Sequence, residues 1–362
     1  SYPLVATISP ANATNQNVTW SSSKDDIAIV DQNGKVQALK AGTAIITAKT
    51  EDGNHEASCE VTVTALMLKV PSEYTTVQAA MDAAQDGCII VVSQGTYQEN
   101  LNLDGKNIEI RSADPEDRSV VAATIISGEG GDDSVITIQN CNIGVAINGF
   151  TITKGKGKLF DDYRAGGGIY IKNSSATIGF CVIENNEAEY GGGVYVEGAL
   201  SIQNNTISGN TARYNGGGLY SLEGEHTIEG NEISENIAGL YGGGLFSVKG
   251  ERTIVGNMIS ENTAFSGGGL YWESGQHTIV DNTISKNTAT NYCGGGLWAS
   301  AEGKALIADN SFVSNSANVH GGGLWVGKGF IAVTDDADTL LVSPDRANTY
   351  ESNTPEDVYL QP

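Results

Sequence analysis

The first 64 residues alternate apolar and polar positions in short runs. Runs such as VATI, NVTW, IAIV and CEVTV are separated by clusters of Asn, Asp, Ser and Gly. Successive side chains of a strand point to opposite faces, so each run predicts a strand with one buried face. Several such strands joined by tight turns are typical of a small antiparallel sandwich, which we expect for residues 1–64.

The pattern changes at residue 65, where a second domain, residues 65–362, is predicted to begin. Near its start, the apolar spacing in TVQAAMDAAQDG predicts a short helix with one buried face. From about residue 140 to residue 330, a GGG triplet recurs every 25 to 27 residues. A fixed period of this length indicates a solenoid. Because no unit shows helical periodicity, each repeat should be one coil of strands and turns, stacked at roughly 4.8 Å.

Two internal rows of aliphatic side chains follow from this repeat. Residues at equivalent positions of successive coils stack, and the aliphatic ones fill the interior. The first row follows the triplets and consists of Ile169, Val194, Leu219, Leu245, Leu270, Leu297 and Leu324. The second row consists of Ile207, Ile233, Ile259, Ile284 and Val313. The glycines permit tight bends, so we interpret them as structural and not as a phosphate-binding loop.

Two columns of asparagine, five residues apart, run along the same repeats. The first column is Asn205, Asn231, Asn257, Asn282 and Asn310, and the second is Asn210, Asn236, Asn262, Asn287 and Asn315. Stacked amides hydrogen-bond along the axis and satisfy the backbone of turns. We therefore predict a structural role for these residues and not a ligand site.

The sandwich segment resembles the bacterial group 2 Ig-like family. SPANATNQNVTWSSS, IAIVDQNGKVQALKAGTAIITAKT and CEVTVTA carry the resemblance and cover nearly the whole segment. Members of that family usually begin with one more strand, before the position of Ser1. The resemblance therefore implies a domain without its first strand, either because the chain is trimmed or because a neighbouring molecule donates the strand. In the second case, residues 357–360 are the candidate donor.

The second domain resembles pectin-lyase-like β-helix proteins at its start, through TVQAAMDAAQDG, IIVVSQGTYQENL and GKNIEIRS. In those proteins the helix caps the open end of the solenoid. The units ISGN, ISEN, ISKN and FVSN, each followed by GGGL, resemble the repeats of polymorphic outer-membrane proteins. Together the resemblances imply an all-β chain: an Ig-like sandwich followed by a right-handed single-stranded parallel β-helix with an N-terminal capping helix.

The chain carries 43 acidic and 20 basic residues, a net charge of −23. Nucleic acids bind to positive surfaces, so this charge argues against a nucleic-acid partner. It also disfavours anionic lipid and polyanionic substrates. No apolar run reaches the roughly 18 residues of a membrane span, and the first residues lack the features of a signal peptide. We expect an exported chain whose signal peptide has been removed, located outside the cell or on a bacterial cell surface.

The five cysteines show no CxxC spacing, so we expect buried free thiols and no metal site. Weak calcium binding is an alternative at the acidic turns of residues 132–133 and 335–338, although no EF-hand spacing is present. No other cofactor is indicated.

The first candidate for ligand binding is the aromatic row that follows the triplets. It consists of Tyr170, Tyr195, Tyr220, Phe246, Tyr271, Trp298 and Trp325. Strand alternation places the neighbouring aliphatic residues inside, so we expect these rings outside. Exposed rings at such spacing could hold a sugar chain by stacking on its C–H faces. The alternative is a structural role, with the rings covered by loops or packed on one another.

The second candidate is the loop that precedes each triplet, because loop length varies only there within the repeat. Variable loops on a rigid scaffold often carry binding sites. The loops contribute Tyr163, Arg164, Glu189, Tyr190, Arg213, Tyr214, Tyr241, Phe265, Tyr292, Cys293 and His320. Ordinary tolerance of surface change is the alternative.

Two weaker candidates involve charged residues. The insert of residues 154–164 gathers Lys158, Tyr163 and Arg164, where a cation could neutralise a uronate and the tyrosine could act as acid or base. A solvated surface loop is the alternative, since no lyase active-site motif is recognised. The column His226, Arg252 and His277 follows Glu225, Glu251 and Gln276. Such pairs could exchange protons, but positions fixed in a repeat are usually scaffold.

These observations favour a binding function over catalysis, because no concentrated catalytic cluster is present. The preferred hypothesis is adhesion or binding of a polysaccharide or surface protein, with the Ig-like domain as a spacer. A polysaccharide lyase or related carbohydrate-active enzyme is one alternative, although fold resemblance is a weak argument for activity. A self-assembling fibre subunit, joined through the vacant Ig strand, is the other.

Overall fold

Nearly all regular structure in the described part of the chain is β-strand. The structure, a computed structural model, describes residues 2–39, 41–142, 144–327, 331–332 and 348–361. Within these ranges the two helices are Val77–Ala83 and Arg118–Ala123. The chain divides into two compact units, residues 1–67 with 85–89, and residues 68–84 with 90–362.

The N-terminal unit contains two antiparallel three-stranded sheets. In strand order, the first sheet is Tyr2–Pro3, Lys35–Ala38 and Ala28–Val30, and the second is Val18–Ser22, Gly42–Thr50 and Glu56–Val63. Alternate residues Ala44, Ile46 and Ala48 of the central strand are buried. Ala44 and Ile46 join Ile27 and Val36 in one apolar core. The predicted small sandwich is confirmed.

The second unit is a parallel β-solenoid with three sheets. The 17-stranded first sheet comprises Met67–Val70, Ile89–Val92, Leu101–Asp104, Glu109–Ser112, Ile136–Gln139, Val145–Asn148, Ile169–Gly179, Val194–Gln203, Leu219–Glu223, Glu225–Glu229, Leu245–Ser247, Glu251–Val255, Leu270–Val280, Leu297–Ala308, Leu324–Val326, Ile331–Ala332 and Val358–Leu360. The 10-stranded second sheet comprises Gly95–Gln98, Thr124–Ser127, Thr151–Thr153, Val182–Glu184, Thr206–Ser208, Glu232–Ser234, Met258–Ser260, Thr283–Ser285, Ser311–Val313 and Thr349–Glu351. The 8-stranded third sheet comprises Lys158–Phe160, Tyr163–Ala165, Glu187–Tyr190, Thr211–Asn215, Ile237–Ala238, Thr263–Ala264, Thr288–Ala289 and Ser316–Ala317. Each regular coil passes through the first, second and third sheets in turn, which confirms the predicted all-β solenoid.

The internal aliphatic rows stack in register. All seven members of the first predicted row are buried, and neighbouring members pair across adjacent coils. The second row is confirmed up to Ile284 and wrong at its last member, Val313. Ile284 pairs with the fully buried Phe312, whereas Val313 pairs with Ser285. Because neighbouring residues of a strand point to opposite faces, the ring of Phe312 continues the row.

The glycine triplets are required by two different features of the turn. The first glycine of each triplet has a positive φ, as at Gly191 with φ +64°, which side-chain-bearing residues adopt with difficulty. The second glycine is forced by close stacking of the coils. A Cβ at Gly192 would lie 2.6 Å from the carbonyl oxygen of Gly217 in the next coil.

The asparagine columns form continuous internal hydrogen-bond ladders. The amide nitrogen of Asn236 donates to the carbonyl of Ile207 at 2.8 Å and to Oδ1 of Asn262 at 3.0 Å. Its own Oδ1 accepts from the backbone and side-chain nitrogens of Asn210, both at 3.0 Å. All donors and acceptors of the amide are therefore satisfied inside the solenoid. The ladders also include Asn186, Asn348 and Asn353, which the sequence analysis missed.

The short helix Val77–Ala83 covers the first edge of the solenoid, as predicted. Strand Leu101–Asp104 pairs with Ile136–Gln139. At the helix, the side-chain amide of Gln78 accepts from the backbone N–H of Asn102 at 2.8 Å and donates to its carbonyl at 3.2 Å. This amide takes the hydrogen-bonding position of another strand, which protects the edge.

The C-terminal residues 357–360 belong to the solenoid. Strand Val358–Leu360 pairs in parallel with Leu324–Val326. The ring of Tyr359 stacks on His320 with centroids 4.1 Å apart. This segment is therefore not a free strand donor, because its backbone is already paired.

Candidate functional site

The aromatic residues that follow the triplets form one continuous stack, which we call the inner stack. Its members are Tyr170, Tyr195, Tyr220, Phe246, Tyr271, Trp298 and Trp325. Neighbouring ring centroids lie 4.1 to 5.4 Å apart, and the ring planes deviate from parallel by 3° to 30°. Each such contact stabilises the fold by about 0.5–1.5 kcal/mol beyond the hydrophobic effect of burying the rings. The stack therefore helps to hold successive coils together.

The expectation that these rings are exposed is wrong for most of them. Relative exposures are 1% for Tyr170, 2% for Tyr195, 1% for Phe246, 8% for Tyr271 and 6% for Trp325, and the other two rings are half-buried. The faces of neighbouring rings also contact one another, so these faces are not available to a ligand. A direct role of these rings in binding stays a prediction, and their replacement by Ala would damage packing whether or not they bind anything.

We call the aromatic side chains of the loops before the triplets the aromatic strip. Its members are Tyr163, Tyr190, Tyr214, Tyr241, Phe265, Tyr292 and His320. Tyr163 packs against the inner stack near Tyr170 and Tyr195. Tyr190 lies 5.5 Å from Tyr220, and Tyr241 lies 4.6 Å from Tyr271, between ring centroids. The two candidate groups of the sequence analysis therefore contact each other in these coils.

The strip presents partly exposed aromatic rings, most of them tyrosine. Tyr292 is 47% exposed, and the other members are half-buried. Burial raises the pKa of the Tyr163 and Tyr190 hydroxyls above the usual value of 10.0, so both phenols stay neutral at physiological pH. A neutral phenol beside an apolar ring offers both a hydrogen-bonding group and a hydrophobic contact to a partner.

The candidate catalytic residues lie together in one hairpin. The insert folds as antiparallel strands Lys158–Phe160 and Tyr163–Ala165 at the edge of the third sheet. Nζ of Lys158 lies 2.9 Å from the carboxylate of Asp133, and Nη2 of Arg164 lies 2.5 Å from that of Asp132. Both cations are therefore paired with acids, and the raised pKa of Tyr163 disfavours its action as a base. The geometry gives no support to a uronate-neutralising site.

The column of His226, Arg252 and His277 points into the solenoid, and all three side chains are buried. Glu225 and Glu251 are exposed and point outward, since adjacent strand residues alternate faces. The acid–base pairs considered from the sequence therefore do not form.

Hydrogen bonds to carbonyls and a hydroxyl satisfy Arg252 and His226, whereas Nδ1 of the buried His277 has no hydrogen-bond partner among the described residues. Arg252 donates to the carbonyls of Gly224 at 2.6 Å and Lys249, and to the Ser221 hydroxyl. Nε2 of His226 lies 2.8 Å from the Gly198 carbonyl and therefore donates, while Nδ1 accepts from the Ser221 hydroxyl at 2.7 Å. The network joins successive turns and is enclosed, so it acts as scaffold.

The remaining chemical candidates give no site. Among the described residues, no group of three His, Cys, Asp or Glu is placed to hold a metal ion, and residues 335–338 lie outside them. The five cysteines are free, and four are buried while Cys59 is exposed. Burial raises the pKa of Cys181 to about 12, so its thiol is unreactive. Within the described ranges, no helix is long and apolar enough to cross a membrane.

The N-terminal unit has an open cleft of about 610 Å³ beside a strand edge. In the described part of the chain, Glu56–Val63 pairs only with Gly42–Thr50. Cys59 lies opposite the buried Ile46 and shares its face, yet Ala57 and Cys59 are both exposed. The inner face of this edge strand is therefore uncovered at Ala57 and Cys59, whereas Val61 and Val63 further along the same face pack against the apolar core.

The stacked parallel coils and their internal ladders define a β-solenoid protein with an Ig-like unit. The chain belongs to the right-handed β-helix family. The model of this family, described as right handed beta helix region, matches residues 124–316. Residues 1–61 match the bacterial Ig-like domain (group 2). No solved structure matches the chain.

Curated relatives share only segments with this chain. An uncharacterised protein of Clostridium acetobutylicum is 56% identical over 64 residues, which is 17% of this chain and 7% of the relative. An alpha-L-arabinofuranosidase of Bifidobacterium longum subsp. longum is 35% identical over 137 residues, 38% of this chain and 11% of the enzyme. The Ig-like virion protein of Serratia phage KSP90 is 46% identical over 63 residues, 17% of this chain and 24% of the phage protein. The chain thus spans less than a quarter of each of these relatives.

Proposed function

We propose that this chain is an extracellular bacterial protein that binds a polysaccharide or a surface protein through the aromatic strip of its solenoid. The observation that carries the proposal is the partly exposed row of aromatic side chains, repeated once per coil on a rigid scaffold. Rows of exposed apolar groups usually mark contact surfaces. The Ig-like unit acts as a spacer.

The relatives support this proposal in a limited way. Segments similar to this chain occur in proteins as different as an arabinofuranosidase and a phage virion protein. A module that accompanies different activities does not itself carry any one of them. Several relatives that share these segments are glycosidases or phage particle proteins. Such proteins act on polysaccharides or at cell surfaces, which agrees with an extracellular location.

The test is to incubate the protein with neutral and acidic polysaccharides while following binding and new chain ends, including unsaturated uronate. We expect binding without cleavage. The double substitution Tyr190→Ala and Tyr241→Ala should weaken binding at least about tenfold, because both side chains lie in the strip. The double substitution Lys158→Ala and Arg164→Ala should leave binding unchanged. Both double variants must have the unfolding temperature of the wild type for this comparison.

Two results would contradict the proposal. New chain ends that disappear in the Lys158 and Arg164 variant would establish an enzyme, with the hairpin as its site. Binding that survives the Tyr190 and Tyr241 substitutions would place the contact surface elsewhere.

A second candidate function rests on the uncovered edge strand Glu56–Val63. An open strand edge beside an apolar cleft accepts an extended strand, and a strand donated by another molecule would join chains into a fibre. Cys59→Lys, which places a charge in the cleft, should then abolish assembly seen by electron microscopy. Glu60→Lys, on the opposite face of the same strand, should not. A strictly monomeric protein at high concentration would rule the fibre out.

A further inference from the structure

The aromatic strip changes character along the solenoid. In its first part, the loops carry charged residues, namely Asp161, Asp162, Arg164, Glu187, Glu189 and Arg213. The next four loops, residues 237–241, 263–266, 288–293 and 316–319, contain no Asp, Glu, Lys or Arg. Charged residues make up 17% of the chain, and the net charge is −23, so four consecutive uncharged loops set one stretch of the surface apart.

This uncharged stretch also carries exposed apolar side chains. Leu240 is 40% exposed, Tyr292 is 47% exposed and Val319 is 40% exposed. Asn291 and Asn318 directly precede Tyr292 and Val319 and are exposed to solvent. In these two loops an amide that donates and accepts hydrogen bonds therefore stands next to an exposed apolar group.

The loops have a regular spacing along the axis. They leave the third sheet from paired positions, since Ile237 pairs with Thr263, Thr263 with Thr288, and Thr288 with Ser316. Parallel strands lie roughly 4.8 Å apart, so the four loop tips extend over about 15 Å. A pyranose ring in an extended glycan has a similar length to one coil step, so successive sugars can meet successive loops.

We infer that this uncharged stretch, centred on Leu240, Asn291, Tyr292 and Val319, binds an uncharged polysaccharide chain lying along the solenoid axis. The inference rests on the proposed function and specifies its ligand. A polyanion is repelled by the negative field of the whole protein, and a polycation would prefer the acidic surfaces. A sugar matches the stretch because its C–H face packs on a tyrosine ring while its hydroxyls meet the amides.

A protein partner fits the stretch less well. A stable protein interface buries roughly 800 Å² on each side, so a docked protein would extend well beyond a single row of loop tips. A glycan chain is narrow enough to lie within the row.

The experiment is affinity electrophoresis of the full chain in gels that contain β-glucan, xylan, galactomannan, polygalacturonate or alginate. We expect retardation by at least one of the three neutral polymers and by neither acidic one. Asn291→Ala with Tyr292→Ala should weaken that binding at least about tenfold. Met258→Ala is the matched control, because Met258 is 52% exposed but lies on the second sheet.

Each other outcome overturns the inference in a distinct way. Retardation by an acidic polymer alone would show that the negative charge of the protein does not repel polyanions from this surface, and it would overturn the inference. Neutral-polymer binding that is lost in Tyr190→Ala, in the charged first part of the strip, but kept in the Asn291 and Tyr292 variant would overturn the inference and leave the proposed function standing. Absence of binding to every polymer would overturn both the inference and the glycan part of the proposed function.

Discussion

Inside the solenoid, asparagine side chains make the hydrogen bonds to the backbone that water makes at an exposed turn. Replacing Asn236 by Ala removes four hydrogen bonds and leaves the backbone N–H of Asn210 without a partner. Each buried polar group left unsatisfied costs about 1–3 kcal/mol. We expect the free energy of unfolding to fall by about 3 kcal/mol, measured by urea denaturation. Asn318→Ala, at an exposed site, should change it by less than about 0.5 kcal/mol, and equal effects would contradict the ladder argument.

His226 links the stability of the solenoid to pH. Burial, reinforced by the nearby Arg252, lowers its pKa from 6.5 to about 3. Below pH 6.5 the unfolded chain binds a proton that the folded chain does not. The contribution of this residue to stability is therefore complete above pH 6.5 and is lost as the pH falls towards the folded pKa.

We accordingly expect the unfolding free energy of the wild type to decline as the pH falls from 6.5 to about 4. In His226→Gln the decline should be shallower, because the titrating group is gone. Urea denaturation at a series of pH values measures this slope. His55→Gln replaces an exposed histidine and should keep the wild-type slope. An unchanged slope in His226→Gln would show that other groups set the acid stability.

At the scale of elements, the capping helix closes the solenoid by local interactions at both of its ends. The carboxylate of Glu99 accepts from the N–H groups of Val77 and Gln78, both at 2.9 Å. Nζ of Lys106 donates to the carbonyls of Met81 and Asp82 at 2.8 and 2.7 Å. Negative charge at the start of a helix and positive charge at its end stabilise it. A helix of only two turns is thereby fixed on the strand that it protects.

Gln78→Leu tests this edge protection. The substitution removes both hydrogen bonds to the backbone of Asn102 and exposes a strand edge. We expect a loss of about 1–2 kcal/mol in unfolding free energy and more self-association by light scattering. Gln85→Leu adds the same apolar surface at an exposed position just after the helix and is the control. Equal association of both variants would attribute the effect to hydrophobicity alone.

At the scale of the whole solenoid, each coil contacts mainly its neighbours, so stability should be nearly a sum over coils. Deleting residues 242–266 removes one complete repeat and brings equivalent positions together, for example Tyr220 with Tyr271. We expect a folded protein with a lower urea m-value and a lower unfolding free energy. Deleting residues 250–262 removes half a coil and should prevent folding, because the ladders lose register. If neither shortened chain folds, the stability of the solenoid is not a sum over its coils.

The sequence by itself determined the solenoid, the two aliphatic rows and the asparagine ladders. Each depends on one residue type recurring at a fixed interval, and stacking then follows from the period. The same reasoning was wrong at Val313, because Phe312 does not match the isoleucines in type although it matches them in position. Asn186, Asn348 and Asn353 were missed because they lie in less regular repeats.

Only the tertiary structure decided which aromatic residues face solvent. Strand alternation correctly placed the rings of Tyr170 and its equivalents outside the aliphatic core, but it contains no information about what covers them. The rings stack on one another, Tyr163, Tyr190 and Tyr241 from the preceding loops pack on several of them, and the hairpin pairs Lys158 and Arg164 with Asp133 and Asp132. Both results depend on contacts between residues far apart in the chain, which a local pattern of hydrophobic and polar positions does not encode.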